Sequence, residues 1–569
     1  MKNTAVRALT VLALVLGLAA AGLAQTKTLT ILHANDTHSA LLPIGHPSAP
    51  GPFKSAVGED PVTGPGHAAL VRDVGGIARM AALIKSIKAR GGNVLTLHAG
   101  DACVGSFEFN KYLGYPELKI MEGLYDAMAL GNHEFDLGIQ NLANVVNGLY
   151  GDAGPVTLPL LCANIEFAGL PVEGLIQKSI VKEIDGVKVG IFGVITEEPM
   201  YFEAEVIAQF GKSVYEDAGE QAYALRAAGC EIVVCLSHLG TLGDLYGLAD
   251  NVPGIDIIVG GHSHDLFDQA VVRGGKIVVQ AGSHGRWLGE LAVDYEPGVG
   301  VTLRSWTAWP VDSRIVADPL VHARVNELRR GIVTDPRFGT VYSSLVALAE
   351  RDIEKEWPED SAYRDTPLGI LVADAMKKAL EGAGWAVDCV LDAHGYTSFG
   401  IAAGKVVGSD IMRAVPYGYD PETGLGFKLV VAPLPPALIL GGLEYSVAYL
   451  PYARDICIQP SGLTFAYDSS KPPAANLGDI SRLDPMSVRI GDEYVAAYVG
   501  DPTKYYFVGM SEQVFDFLNN LVGGGLVKYD TGLLEYNAVR DFMRGLRRVD
   551  YVSEGRVIDT AALTTTAIK

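Results

Sequence analysis

The chain has 569 residues, 49% of them apolar and 20% charged, which is enough for two or three globular domains and argues against a disordered chain. A formal charge of −21 excludes a general nucleic-acid binder, whose affinity would rest on lysines and arginines that neutralise phosphates. Six cysteines without any C-x-x-C spacing exclude a disulfide scaffold and a thiolate zinc site.

Met1 to about Ala24 has the pattern of a secretory signal. Lys2 and Arg7 supply the positive start, Ala8 to Ala20 is too short for a comfortable span, and Gly22-Leu23-Ala24 offers small residues for cleavage. The expectation is export to the periplasm or beyond, with a mature charge of about −23 and no further run able to insert in a membrane.

Thr28 to Ala34 is a β-prone run ending on Asp36 and His38, and a proline-rich excursion from Leu41 to Val74 follows. Ile77, Met80, Ala81, Ile84 and Ile87 recur at helical spacing within Gly75 to Arg90, and Gly91-Gly92 stops that helix. Further on, a helix is expected over Leu118 to Tyr125 and another over Ala218 to Ala228. Strands are expected over Asn93 to His98, Ala127 to Leu130, Leu158 to Ile165, Val187 to Ile195, Glu231 to Ser237 and Ile255 to Gly261. Such alternation predicts an α/β sandwich with helices on its sheets.

Trp309 to Asp360 reads as a connector, with helical patterns at Val321 to Arg330 and Ser344 to Trp357. A second domain opens with a helix at Leu368 to Leu380 and a strand at Ala386 to Asp392. The expected division is a signal over 1–24, a first domain over 25–308, the connector over 309–360, a second domain over 361–559 and a disordered tail over 560–569. Most cysteines lie in apolar runs and read as buried hydrophobes, with a Cys389–Cys457 pairing left open.

Several predicted strands end on polar patches: Asn35-Asp36-Thr37-His38, Gly100-Asp101, Gly131-Asn132-His133-Glu134-Phe135-Asp136, Ser237-His238 and Gly261-His262-Ser263-His264. Ligands of open α/β sheets gather beyond strand ends. Asp36 and His38 lie two apart, which on extended backbone would point both side chains to one face, and His262 and His264 repeat the spacing. The mixture of carboxylate, amide oxygen and imidazole suits Zn, Mn, Fe or Co. Singly, each patch could be an ordinary turn. For His98 and His284 a structural role is expected.

These patches resemble the metallophosphoesterases, and within them the exported bacterial 5′-nucleotidase family with its nucleotide-sugar hydrolase and cyclic-nucleotide phosphodiesterase relatives. The resemblance runs from Leu29-Thr30-Ile31-Leu32-His33-Ala34-Asn35-Asp36-Thr37-His38 to Gly261-His262-Ser263-His264. It implies a four-layer α/β/β/α sandwich followed by a smaller α/β substrate-binding domain. It further implies one divalent ion on Asp36, His38, Asp101 and His264 and a second on Asp101, Asn132, His238 and His262. His133, oriented by Asp136, would face the phosphate of a small phosphate ester, with a nucleotide expected. Two such ions would clamp phosphoryl oxygens and lower the pKa of a bound water ahead of in-line attack.

The second domain departs from that pattern. Asp392-Ala393-His394-Gly395-Tyr396-Thr397 stands where the family carries a glycine-rich stretch ending in an arginine, and Pro416-Tyr417-Gly418-Tyr419 replaces Pro-Phe-x-Asn. Tyr417 and Phe507 are the candidates for stacking on a base, although both could be plain core aromatics. The alternatives are a non-nucleotide substrate (another phosphate ester, or thiosulfate-releasing hydrolysis) and an exported binding protein stabilised by metal. Nothing in the residues sets an oligomeric state.

Overall fold

The computed structural model describes residues 26–45, 73–357, 363–450 and 454–562. The signal expected over 1–24 and most of the proline-rich excursion lie outside the described residues.

The first domain is built on two six-stranded sheets. One holds β1 (Lys27–Ala34), β2 (Asn93–His98), β3 (Ala127–Ala129), β4 (Leu160–Leu161), β11 (Trp287–Glu296) and β12 (Gly300–Pro310), in the order β12-β11-β1-β2-β3-β4. The other holds β5 (Ser179–Ile184), β6 (Val187–Ile195), β7 (Ile232–His238), β8 (Ile257–Gly260), β9 (Val271–Arg273) and β10 (Lys276–Val279), in the order β9-β10-β8-β7-β6-β5. Strands β1 to β4 run parallel to one another, and so do β6, β7, β8 and β10.

Alternate side chains of the two sheets interlock. Leu29, Ile31, Leu95 and Leu97 from one meet Val189, Ile191, Val234 and Ile257 from the other in a single core. The opposite faces are covered by helices. Leu32 packs with Met80, Ile84 and Ile87 of α1 (Ile77–Lys88), while Phe192, Val194 and Val233 pack with Ala218, Ala222 and Leu225 of α2 (Val214–Ala227). The layers are therefore α/β/β/α, as expected. Strands covered on both sides carry apolar residues at successive positions, and β6 is buried at every residue but Lys188. Ser213 and Glu216 form a capping box that starts α2.

Where the connector was expected, helix α3 (Pro319–Thr334) packs Val325 and Leu328 into the first-domain core and Ile332 into the second. The expected helix over Ser344 to Trp357 is not formed. Leu345–Ala349 is instead a strand, pairing with Gly404–Val407 and Arg548–Val549 of the second domain. The expected strand over Leu158 to Ile165 shortens to β4, and the β11–β12 hairpin extends the first domain's sheet to Pro310.

The second domain centres on a five-stranded sheet ordered Ile458–Ser461, Cys389–Ala393, Tyr506–Ser511, Lys428–Leu434 and Tyr529–Leu534. Helix Pro367–Gly382 covers one face, and helices Pro436–Ala448 and Glu512–Leu521 the other. Thr560 bonds to the carbonyl of Tyr467, so the tail begins anchored, and residues 563–569 lie outside the described residues. All six cysteines are buried and free, Cys389 and Cys457 included. Among the described residues no helix is long and apolar enough to cross a membrane.

Candidate metal centre

The parallel strands deliver the predicted residues to one place. Asp36 and His38 follow β1, Asp101 follows β2, Asn132 and His133 follow β3, His238 ends β7, and His262 and His264 follow β8. The loops after β1 and β2 continue to pair beyond the strands, with Asp36 N donating to Gly100 O at 2.9 Å and His38 N to Asp101 O at 3.1 Å. His262 N donates to both carboxylate oxygens of Asp36 at 3.0 Å, which ties the two sheets together at the site.

The two-apart spacing converges for a different reason than expected. Asp36, His38, His262 and His264 have φ of 47°, 45°, 74° and 61°, as Asp101 has 55°. These are left-handed turn conformations, not extended backbone, and non-glycine residues adopt them at a cost. Five residues of one site held this way indicate that the surrounding sheets dictate the geometry.

Donor atoms of Asp36, His38 and His264 lie within 4.8 Å of one another, and so do those of Asp36, Asp101 and His238. His38 Nε2 stands 3.0 Å from His264 Nε2, His264 Nε2 3.5 Å from Asp36 Oδ1, and His238 Nε2 3.0 Å from Asp101 Oδ2. His262 Nδ1 is 3.0 Å from Asn132 Oδ1. Burial drives His38 down to about 3 and His264 well below the usual imidazole range, so both are neutral, the form that binds a metal ion. Burial alone would raise Asp101, yet His238 and His133 bring it well below the usual carboxylate range. His238 Nε2 is buried and, despite its closeness to Asp101, makes no well-aligned hydrogen bond. Burial opposes a charge on His238, but Asp101 and Asp36 raise it to about 10, so the ring carries a proton that a bound cation would displace, and the facing His38 and His264 nitrogens fit a cation better than they fit each other.

Second contacts hold these groups still. His238 Nδ1 lies 2.7 Å from Ala99 O. Asn35, buried, donates to Asp36 Oδ2 and Gly282 O at 2.6 Å each and accepts from Ala281 N. Glu134 accepts from the backbone amides of Gly131, Asp101, Ala102 and Cys103, clamping the β2 loop to the β3 loop. The role of Glu134 was not read from the sequence, although its place between His133 and Asp136 marks it as part of the same turn. Of the two histidines expected to be structural, His98 Nε2 lies 3.2 Å from Thr37 Oγ1, and His284 Nε2 3.2 Å from Ser398 Oγ of the second domain.

His133 joins His38 and Asp101 in a third group of donor atoms within 4.8 Å of one another, and it also carries an ion-pair partner of its own. Its Nδ1 is 2.9 Å from Asp136 Oδ2, and its Nε2 points towards Asp101 Oδ2 at 4.0 Å. Burial opposes a charged ring, but Asp136 and Asp101 outweigh it and raise His133 to about 9. A protonated imidazole is thus held at the edge of the donor cluster, where a leaving oxygen could take its proton.

The site opens into a cavity of about 1110 Å³ between the domains. Tyr417 enters from the second domain and stacks on His133, with centroids 5.2 Å apart and planes 17° from parallel. Phe507 does not join it. That ring is 42% exposed on strand Tyr506–Ser511, opposite Pro433, outside the cavity lining. Phe517 lines the cavity instead. Tyr396 and Glu198, also unread in the sequence, line the cavity too, with Glu198 3.6 Å from His262 Nε2.

The sequence profile of the calcineurin-like phosphoesterases matches residues 29–266. The trifunctional nucleotide phosphoesterase of Bacillus subtilis (strain 168) is 25% identical over 93% of this chain, and that match spans 35% of its own length. Human 5′-nucleotidase is 26% identical over 97% of this chain and 94% of its own. Among solved structures, the 5′-nucleotidase precursor from Thermus thermophilus superposes with a TM-score of 0.77 at 27% identity, covering 94% of this chain and 99% of that one. Fold, donor cluster and profile agree: residues 29–266 carry the features of a calcineurin-like phosphoesterase domain, and the chain is similar over most of its length to proteins named 5′-nucleotidase.

Proposed function

We propose that the protein is an exported dinuclear phosphohydrolase that removes phosphate from nucleotides or closely related esters. The observation that carries this reading is the His133–Asp136 pair set against the donor groups of Asp36, His38, Asp101, His238 and His264, since an ion pair on His133 is not needed to hold a metal. Asp36, His38, Asp101 and His264 would hold one cation, and Asp101, Asn132, His238 and His262 the other. Bound there, divalent cations supply charge neutralisation at phosphoryl oxygens and an acidified water.

The chain's own residues do the rest. Asp136 keeps His133 protonated and aimed, and His133 Nε2 delivers a proton to the leaving oxygen. Tyr417 shields that imidazole from solvent on one face. Tyr396, Tyr417, Phe427 and Phe517 offer ring surfaces on which a flat base could stack, each contact worth roughly 0.5–1.5 kcal/mol beyond burial. The charged-then-apolar leader from Met1 to Ala24 supports export.

The test is phosphate release, with manganese or zinc, from AMP, UDP-glucose, a 2′,3′-cyclic nucleotide and a plain sugar phosphate, alongside His133→Ala. Preference for the nucleotides, lost in the variant, is the expected result. Equal turnover of the sugar phosphate removes the nucleotide assignment, and an undiminished His133→Ala removes the proton-donor role.

A further inference from the structure

The cavity carries positive charge on its second-domain side. Lys355 and Arg454 both line it, one from the chain that follows strand Leu345–Ala349 and the other from the loop ahead of strand Ile458–Ser461. Neighbouring contacts fix Lys355. Ile353 exchanges backbone hydrogen bonds with Ile401 at 2.8 and 3.0 Å, and the Leu368 amide donates to Glu354 O at 3.0 Å. Trp357 lies on His394 with ring centroids 3.9 Å apart, and its indole donates to Arg364 O at 2.6 Å. A second set of bonds brings Arg454 to the same histidine: His394 N donates to Cys457 O at 2.9 Å and Gly395 N to Asp455 O at 2.8 Å.

These cations are short of partners. The Lys355 side chain is only 13% exposed, yet the carboxylate paired with it, Glu356 Oε1, stands 3.7 Å away on a side chain 64% exposed. That is beyond hydrogen-bond length, and an ammonium drawn so far out of water is costly unless it is paired. Among the described residues the Arg454 guanidinium makes no hydrogen bond or ion pair. His394 is buried and lines the cavity, and its Nδ1 has no hydrogen-bond partner. Burial keeps His264, His284 and His394 well below the usual imidazole range, and Lys355 presses on all three, as Arg454 does on His394. Lys355 is thus within electrostatic reach of both the metal centre and the His394 turn. Asp455 also lines the cavity, but its charge falls on Tyr201, Tyr396 and Tyr417.

We propose that Lys355, Arg454 and His394 form a second anion subsite, which holds a phosphate that is not transferred while the phosphate to be released lies at the donor cluster. The favoured substrates are therefore esters that carry two phosphate groups. Two cations match the charge of about −2 on a phosphate better than the single charge of a carboxylate, and the planar guanidinium adds a bidentate contact. A neutral imidazole supplies one N–H donor more. The inference rests on the phosphohydrolase reading only for the position of the first phosphate.

The experiment is calorimetric binding of propylphosphonate and of the α,ω-alkane bisphosphonates from ethane to hexane to the metal-loaded protein, with metal content read before and after each titration. At the length that spans the two positions, the bisphosphonate should bind about tenfold tighter or more than the monophosphonate. Lys355→Met and Arg454→Met should each bring that ratio to about threefold or less, while Lys355→Arg keeps it. Circular dichroism checks the fold, and the exposed Arg454 keeps the test valid if a change at Lys355 misfolds. Phosphonobutyrate, which ends in a carboxylate, should gain less, and an equal gain overturns the phosphate assignment. A ratio near one at every length in the wild-type protein, or a ratio unaltered in both Met variants, overturns the subsite. Phosphate release from AMP and from a sugar bisphosphate is read in parallel. A bisphosphonate gain with no release from either ester keeps the subsite and removes the hydrolase reading instead.

Discussion

Tyr417 of the second domain lies against His133 of the first, ring on ring, 5.2 Å apart. The imidazole is the protonated partner of that stack, so the contact is cation on aromatic face as well as ring on ring. Replacing Tyr417 by Leu removes both terms while filling much of the volume. A loss of about 1–2 kcal/mol, or roughly 5- to 30-fold in kcat/KM, is expected, and steady-state kinetics beside the unchanged metal content would read it.

Gly131 tests the clamp between the metal loops. Its φ of −107° suits any residue, so the objection to a side chain is space alone. A Cβ there would fall 2.1 Å from Asp101 Oδ1 and 2.5 Å from Asp101 N. Gly131→Ala should therefore cost about 1–3 kcal/mol in thermal unfolding and displace Asp101, lowering metal content in the same sample.

Asp101 lies between the two proposed halves of the cluster, 3.0 Å from His238 Nε2 and 4.0 Å from His38 Nε2. Asp101→Ala should abolish retention of both cations, whereas His264→Ala should reduce retention of one. Elemental analysis after gel filtration separates the two outcomes, and equal stoichiometry in the variants would contradict the assignment.

A buried carboxyl in the second domain sets a pH dependence away from the metals. Burial raises Asp392 to about 7, Glu535 is raised well above its usual range by burial and by Asp392, and neither finds a hydrogen-bond partner. Both therefore prefer to be protonated in the folded protein. Between about pH 4 and pH 7 the unfolded chain gives up these protons while the folded one keeps them, so stability falls as pH rises. Asp392→Asn should flatten that decline, by on the order of a few kcal/mol across the window, in melting curves taken from about pH 4.5 to 7.5.

The parts of the fold that could be read beforehand share a physical trait. Strands β2 and β6 emerge with the predicted limits because each lies inside its sheet and is buried on both faces along most of its length. The β11–β12 hairpin escaped notice because β12 leaves much of its length exposed and interleaves charge with apolar residues. Leu345–Ala349 carries helix-like spacing, yet its partner strand Arg548–Val549 lies about two hundred residues on, and no local pattern announces such a pairing. The seven donors were legible because each ends a strand.

The ligands come from the ends of strands in both sheets, and His38 and His264 are separated by 226 positions along the chain. The first sheet's strands carry four of the candidate ligands, Asp36, His38, Asp101 and Asn132, and the second sheet's the other three, so the centre is complete only after both sheets have formed and docked. Such a pairing of distant segments is the slow kind of folding event. Cation uptake should accordingly be the last step of maturation, and a refolding chain should regain its helical and sheet signal before it regains its metal. The centre then serves as an internal check on assembly: a protein that retains its cations has, by that fact, both sheets in register.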